Sequence, residues 1–176
     1  MKVDLRQIPA GSIVSCKSKG FSLFGFLQLW WARIKEGVAG CATHTALYVG
    51  GGKNYIIEAA ASGVRKHKLT AYVGKERYQV DVFFKPDLTV LQVEKIKSYA
   101  YSKLGRRYDF MGVMRFLFRR LPQSPHRFFC SELVCESCRA GDWKVVPQMK
   151  CCDVSPSVIE SWCRRNKDVE LVWTQA

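Results

Sequence analysis

The sequence predicts an α+β fold with an antiparallel sheet packed against helices, on three observations. His44 to Val49 divides its residues alternately between two faces, runs into Gly50-Gly51-Gly52 and is followed by NYIIEAA (Asn54 to Ala60), the pattern of an antiparallel hairpin. Further strand-like runs, SIVSC, YQVDVFFKP and VELVW, are intermixed with segments of helical spacing. Nearly half of the 176 residues are apolar and no repeat or low-complexity segment occurs, so one domain spanning residues 1–176 can bury its own core without disulfide staples.

Each element has a local reason. Pro9, Ala10 and Gly11 form a turn into SIVSC (Ser12 to Cys16), a first strand. Phe21 to Lys35 is a helical candidate interrupted by Gly25. Its apolar stretch falls short of the roughly 20 residues that span a bilayer, so a buried or amphipathic helix is expected and no transmembrane segment. After the small-residue turn GVAGCA, His44, Ala46 and Tyr48 face one way while Thr45, Leu47 and Val49 face the other. Tyr78 to Pro86 is a strong strand, stopped by a proline that cannot donate to a ladder. Val93, Ile96, Ala100 and Leu104 recur at helical spacing, with Gly105 where a C-cap glycine belongs. YDFMGVMRFLFRR reads as an apolar helix, and the prolines of LPQSPHR break it into an extended approach to Phe128. Glu132, Leu133 and Glu136 favour a helix over Ser131 to Arg139. Ser155-Pro156 has the cap-then-proline form of a helix start, with Val158, Ile159 and Trp162 as its apolar face, and VELVW is a last strand.

Lys and Arg total 28 against 15 Asp and Glu, a formal charge of +13. That charge implies association with phosphate, anionic lipid or acidic polymer without choosing among them. The basic residues are scattered, at Arg33, Lys35, Arg65 to Lys68, Arg106, Arg107, Arg119, Arg120, Arg164 and Arg165, as on a solvated surface rather than a nucleic-acid arm. MKVDLRQIPAGS has a charged start and no apolar run behind it, so the expectation is no secretory signal, a cytoplasmic location and reduced cysteines.

RFFCSELV sets Cys130 at the junction between an apolar run and a helix. There, first-turn N–H groups and the positive end of the helix dipole favour the thiolate, the nucleophilic form. A thiolate nucleophile needs an acid/base partner, and the chain has three histidines. His44 begins a strand beside a Gly-rich turn. His126 lies four residues before Cys130 between two breakers. His67, within VRKHKL, reads as surface in a loop. Glu58, on the neighbouring strand, either orients the imidazole or points to solvent at the strand end. By pattern alone Cys130 is more readily one more buried thiol among eight than a nucleophile.

HTALYVGGGKNYIIEAA resembles the histidine, strand, Tyr-Val-Gly, turn, Ile-Glu-Ala signature of the circularly permuted NlpC-type papain-like cysteine hydrolases, the YiiX-like branch in particular. FFCSELV is similar to that branch's nucleophile motif, and GRRYDF (Gly105 to Phe110) to its Gly-x-x-Tyr-Asp-Phe segment. PAGSIVSC resembles its first strand, although Ser12 stands where an aspartate is common. The resemblance runs from Pro9 to Val134 in the permuted order, histidine before cysteine; from Arg139 onward it offers no anchor. It implies a permuted papain-like fold, Cys130 as nucleophile, His44 as general base and acid, Glu58 as the orienting residue, and Tyr108 near the substrate cleft. Asp109 is as readily the cap of a helix starting near Phe110. The implied chemistry is acyl transfer through a thioester, with neither metal nor organic cofactor.

The expected substrate is a small peptide or peptidoglycan fragment. A lipid-directed thiol acyl hydrolase or acyltransferase is the alternative, suited by the apolar stretches FSLFGFLQLWW and FMGVMRFLF. Glu58, where the lipid-acting branch usually has a second histidine, leans toward the amidase. A wall substrate would require delivery by phage lysis or a secretion machine. Two non-enzymatic readings compete. Cys135-x-x-Cys138 with Cys151 and Cys152 invites zinc, although the pair sits inside a predicted helix where burial is favoured. RRYDF and WWARIK mix aromatics with cations, but neither resembles a named nucleic-acid motif, so nucleic acid is the less expected partner.

Overall fold

The structure, a computed structural model, describes residues 5, 7–19, 42–114 and 126–175. In chain order its elements are β1 (Ile13–Ser18), β2 (His44–Gly50), β3 (Tyr55–Ala60), β4 (Gly63–Lys68), β5 (Tyr78–Phe84), α1 (Val90–Ser102), β6 (Arg107–Tyr108), α2 (Phe110–Met114), β7 (Arg127–Phe128), α3 (Cys130–Ala140), α4 (Pro156–Arg165) and β8 (Glu170–Gln175). Single 3-10 turns lie at Leu69–Ala71 and Cys151–Asp153. The expected helix from Phe21 to Lys35 lies outside the described residues, as do the rest of the apolar helix beyond α2 and most of LPQSPHR. No helix among the described residues is long and apolar enough to cross a membrane.

Among the described residues, six strands form an antiparallel sheet in the order β4-β3-β2-β1-β5-β8, and β6 pairs in parallel with β7. Alternation along β2 gives each face its own core. Leu47 and Val49 join Ile13, Ile57, Phe83 and Leu133 on the helix-covered face, while Ala46 and Tyr48 join Val14, Ile56 and Leu69 on the other.

The sheet register determines which polar side chains stand side by side. β1 pairs Cys16 with His44, and β3 pairs Glu58 with Arg65 of β4. β4 corrects the expectation of a loop around His67. Arg65, Lys66, His67 and Lys68 give the segment no apolar stripe, yet it is an edge strand, and lysines suit an edge that must not pair further. The hairpin turns at Ala61 and Ser62 into Gly63, which has φ +105 and would carry a Cβ 2.6 Å from the Arg106 carbonyl oxygen, so only glycine fits.

α1 opens with a capping box: the Thr89 hydroxyl accepts from the Gln92 N–H at 3.3 Å, and the Gln92 side chain accepts from the Thr89 N–H at 3.0 Å. It ends at Ser102, so Leu104 falls past the helix, and Gly105 donates to the Val64 carbonyl rather than serving as the C-cap. α3 packs on α1 at Gly141, where a Cβ would lie 2.5 Å from both the Gln92 carbonyl oxygen and Ile96. α4 starts as expected, with the Ser155 hydroxyl accepting from the Val158 N–H at 3.3 Å.

The expectation of reduced cysteines fails at one pair. Cys135 of α3 is joined to Cys151 by a disulfide, because the helix presents that side chain to the 3-10 turn with Cα atoms 5.4 Å apart. Arg139, one turn on, donates to the carbonyls of Val145, Val146 and Met149 and holds the intervening loop against the helix.

Candidate active site

Cys130 is the first residue of α3. Its N-cap, Phe129, is extended (φ −103, ψ 170) and has a side chain with no acceptor, so the helix start is not capped from there. The Cys130 sulfur instead receives the backbone N–H groups of Ser131 and Thr45 and is hydrogen-bonded to His44. Although Cys130 as a residue is only 3% exposed, its sulfur is not sealed in hydrocarbon. His44, whose side chain is 20% exposed, is the accessible side of the pair.

His44 begins β2, and its Nε2 lies 2.8 Å from Glu58 Oε2. That leaves Nδ1 as the ring nitrogen for the sulfur. Glu58 does not point to solvent. It is fully buried, and its two oxygens divide the surrounding donors. Oε2 takes His44 and, at 2.6 Å, the Tyr72 hydroxyl. Oε1 takes Arg65 through Nε and a terminal nitrogen, each at 2.9 Å. His67, expected to be plain surface, lies with Nδ1 3.5 Å from the same Oε1. Burial alone would push the Glu58 carboxyl up; the His44, Tyr72 and Arg65 bonds and the His44 charge outweigh it and bring the group down to about 2.

The same balance governs the other two. Burial pushes the Cys130 thiol up, but its bond to His44, the imidazolium charge and the two N–H groups carry it below the ordinary thiol value. Burial lowers His44, yet its bonds to Cys130 and Glu58 raise it well above the usual imidazole range. Both shifts favour a thiolate–imidazolium pair at neutral pH. Cys16, directly across from His44, shows the contrast: burial, then the Glu58 and Cys130 charges, push it up, and it stays a neutral thiol.

Of the residues predicted from sequence, Cys130, His44 and Glu58 are thus brought together. Tyr108 lies on β6 beside the start of α3, where burial and the Cys130 and Asp109 charges push its phenol up. Asp109 caps α2, its Oδ1 accepting from the Gly112 N–H at 2.9 Å. His126 is exposed in the turn before β7. The zinc reading meets a bridged Cys135 and a buried Cys138 whose thiol is raised by burial. No group of three or more His, Cys, Asp or Glu able to hold a metal ion occurs among the described residues.

Three contributors escape the sequence reading. Arg65 is findable in principle, because the Ser-Gly turn after Ala60 signals a hairpin that returns it opposite Glu58. Tyr72 follows the turn Leu69–Ala71 and carries no periodic signal. α4 acts on the segment leading into β2: Glu160 Oε2 accepts from the Ala42 N–H at 2.7 Å, and the Ser157 hydroxyl donates to the Ala42 carbonyl at 2.9 Å, two residues before His44. No curated protein and no solved structure gives a match to the chain. The model of the permuted papain-like amidase enzymes, the YaeF/YiiX or C92 family, matches residues 7–171, well past the Val134 where the motif resemblance stops, and the chain belongs to that family.

Proposed function

We propose that the chain works as one domain over residues 1–176, a cysteine amidase of NlpC type that cleaves an amide bond in a small peptide, peptidoglycan fragments included. Cys130 is the nucleophile, His44 the general base and acid, and Glu58 the residue that orients the imidazole. The observation that carries this reading is the continuous hydrogen-bonded line from Glu58 through His44 to Cys130, ending at the first residue of a helix, in a chain of an amidase family.

The thiolate attacks the carbonyl carbon, forming the C–S bond as the carbonyl electrons move onto oxygen. Backbone N–H groups at the start of α3 stabilise that oxyanion. Protonated His44 gives its proton to the amine nitrogen as the C–N bond breaks, leaving a thioester. Water then loses a proton to His44 and attacks the thioester. The C–S bond breaks, the acid leaves, and thiolate and imidazolium are restored. Tyr108, its phenol kept neutral, serves as a donor to the bound acyl portion. A hollow of about 450 Å³ lined by Tyr55, Lys66, His67, Lys68, Thr70 and Ala71 adjoins Glu58 through His67, and the formal charge of +13 on the chain as a whole favours a substrate that carries carboxylates.

Small peptides with free carboxylates, incubated with wild type and Cys130→Ala and analysed by mass spectrometry, test the reading. Hydrolysis is expected to fall by about a thousandfold or more in the variant. Cys130 should also react with iodoacetamide at mildly acidic pH far faster than the other thiols, and His44→Ala should erase the difference. Uniform labelling, or hydrolysis that survives Cys130→Ala, overturns the proposal.

A further inference from the structure

Glu58 holds His44 by one bond, and one bond leaves the imidazole free to pivot about it. A ring that pivots about the Nε2–Oε2 axis swings Nδ1 away from the sulfur, so something must fix the plane of the ring. Around Glu58, Arg65 donates to Oε1, the oxygen that His44 does not use, and His67 lies 3.5 Å from that same oxygen without a hydrogen bond to it. Tyr72 shares Oε2 with His44, donating to it at 2.6 Å. The same phenol ring lies against the imidazole, with centroids 5.6 Å apart and planes 25° from parallel.

We infer that Tyr72 is a positioning residue of the amidase site, its hydroxyl fixing the Glu58 oxygen that holds His44 and its ring face fixing the plane of the imidazole. The inference rests on the roles proposed above for Cys130, His44 and Glu58. Tyr72 is itself well braced. Tyr78 packs edge-on against it at 5.1 Å and His67 at 6.5 Å. Its backbone N–H closes the turn on the Leu69 carbonyl at 3.0 Å; Leu69 is fully buried and donates to the Asn54 carbonyl at 2.9 Å. Burial and the neighbouring Glu58 charge push the phenol far up, so it remains a neutral donor at any pH where the thiolate–imidazolium pair exists.

Tyr72→Phe keeps the stacked ring and removes only the hydroxyl; Tyr72→Leu removes both. Steady-state hydrolysis by each is compared with the pH dependence of Cys130 alkylation by iodoacetamide, which needs no substrate, and with thermal melting. Tyr72→Phe is expected to lower kcat by roughly tenfold with KM changed by less than about twofold, and Tyr72→Leu to lower kcat further. In both variants the Cys130 alkylation midpoint moves to higher pH, because an imidazolium less firmly held stabilises the thiolate less. A merely structural tyrosine would change melting and leave that midpoint in place. Wild-type kcat and an unmoved midpoint in Tyr72→Phe overturn the inference while leaving the amidase reading intact. Uniform alkylation of all thiols in the wild type removes the nucleophile itself, and the inference falls with it.

Discussion

Replacing Glu58 by glutamine keeps the shape of the side chain and removes its charge, in a place where every described neighbour of the carboxylate is a donor. Oε2 accepts from His44 and Tyr72, and Oε1 accepts from Arg65. A glutamine has one acceptor oxygen and one NH₂ group, so either orientation turns donors against donors in a fully buried position. A lost hydrogen bond to a charged group costs about 1.5–3 kcal/mol. The carboxyl's fall from 4.5 to about 2 gives a second route: at about 1.4 kcal/mol per pH unit it corresponds to roughly 3 kcal/mol. Arg65, whose side chain is 43% exposed, supplies the smaller part because solvent screens it. For a chain of this length that is a drop in Tm of about 5–10 °C at pH 7. The folded-state value is depressed, so the stabilisation is present above 4.5 and is lost as pH falls toward 2. The gap between wild type and Glu58→Gln should therefore shrink to roughly half by pH 3. Melting curves followed by circular dichroism at pH 7, 4 and 3 measure it. Equal melting at pH 7, or a gap that ignores pH, refutes the reasoning.

Two further outcomes separate local causes. Gly63→Ala meets the Arg106 carbonyl oxygen at 2.6 Å as well as a positive φ, whereas Gly74→Ala, at φ +78, meets nothing within 4 Å. Both incur backbone strain of about 1–3 kcal/mol, and thermal melting should show Gly63→Ala as clearly the worse; equal losses would mean that β4 does not press on Arg106. The Cys135–Cys151 bridge closes a 16-residue separation and should contribute about 3 kcal/mol, so reductant is expected to lower Tm. Peptide mapping without reductant should recover the two cysteines linked, and their recovery unlinked contradicts the bridge.

Legibility in the sequence tracks burial. β2, β3 and β5 carry apolar residues at strand spacing because both of their faces pack, and the Thr89 and Ser155 helix starts are set by local capping. β4 is hidden because an edge strand buries little, and Arg65, Lys66, His67 and Lys68 look the same in a loop. Glu58 stays ambiguous in the sequence for a related reason. Alternation says that it shares a face with Ile56 but not that the face is covered, and the cover comes from Tyr72, after a turn with no period to read. The bridge between Cys135 and Cys151 depends on where the 3-10 turn at Cys151–Asp153 docks on α3, which no spacing in the sequence fixes.

The part of the chain beyond Arg139, which carries no motif, bears on the site through geometry. A thiolate on a helix start and an imidazole on a strand belong to separate elements, so their distance is only as well defined as the packing between those elements. α3 is held by its apolar face, by α1 at Gly141 and by the bridge to Cys151. β2 is held by its ladder partners on both sides, but His44 is its first residue, where a strand is least constrained. α4 supplies a further restraint there, gripping both backbone groups of Ala42 with Glu160 and Ser157. Glu160 is tied in turn to Arg164, and Arg164 pairs with Asp81 of β5, so the grip on the approach to His44 extends to the strand two places along the sheet from β2. The restraint on the approach to His44 thus comes from a segment later in the chain than either His44 or Cys130. The family match that continues to residue 171 takes in the helix that provides it.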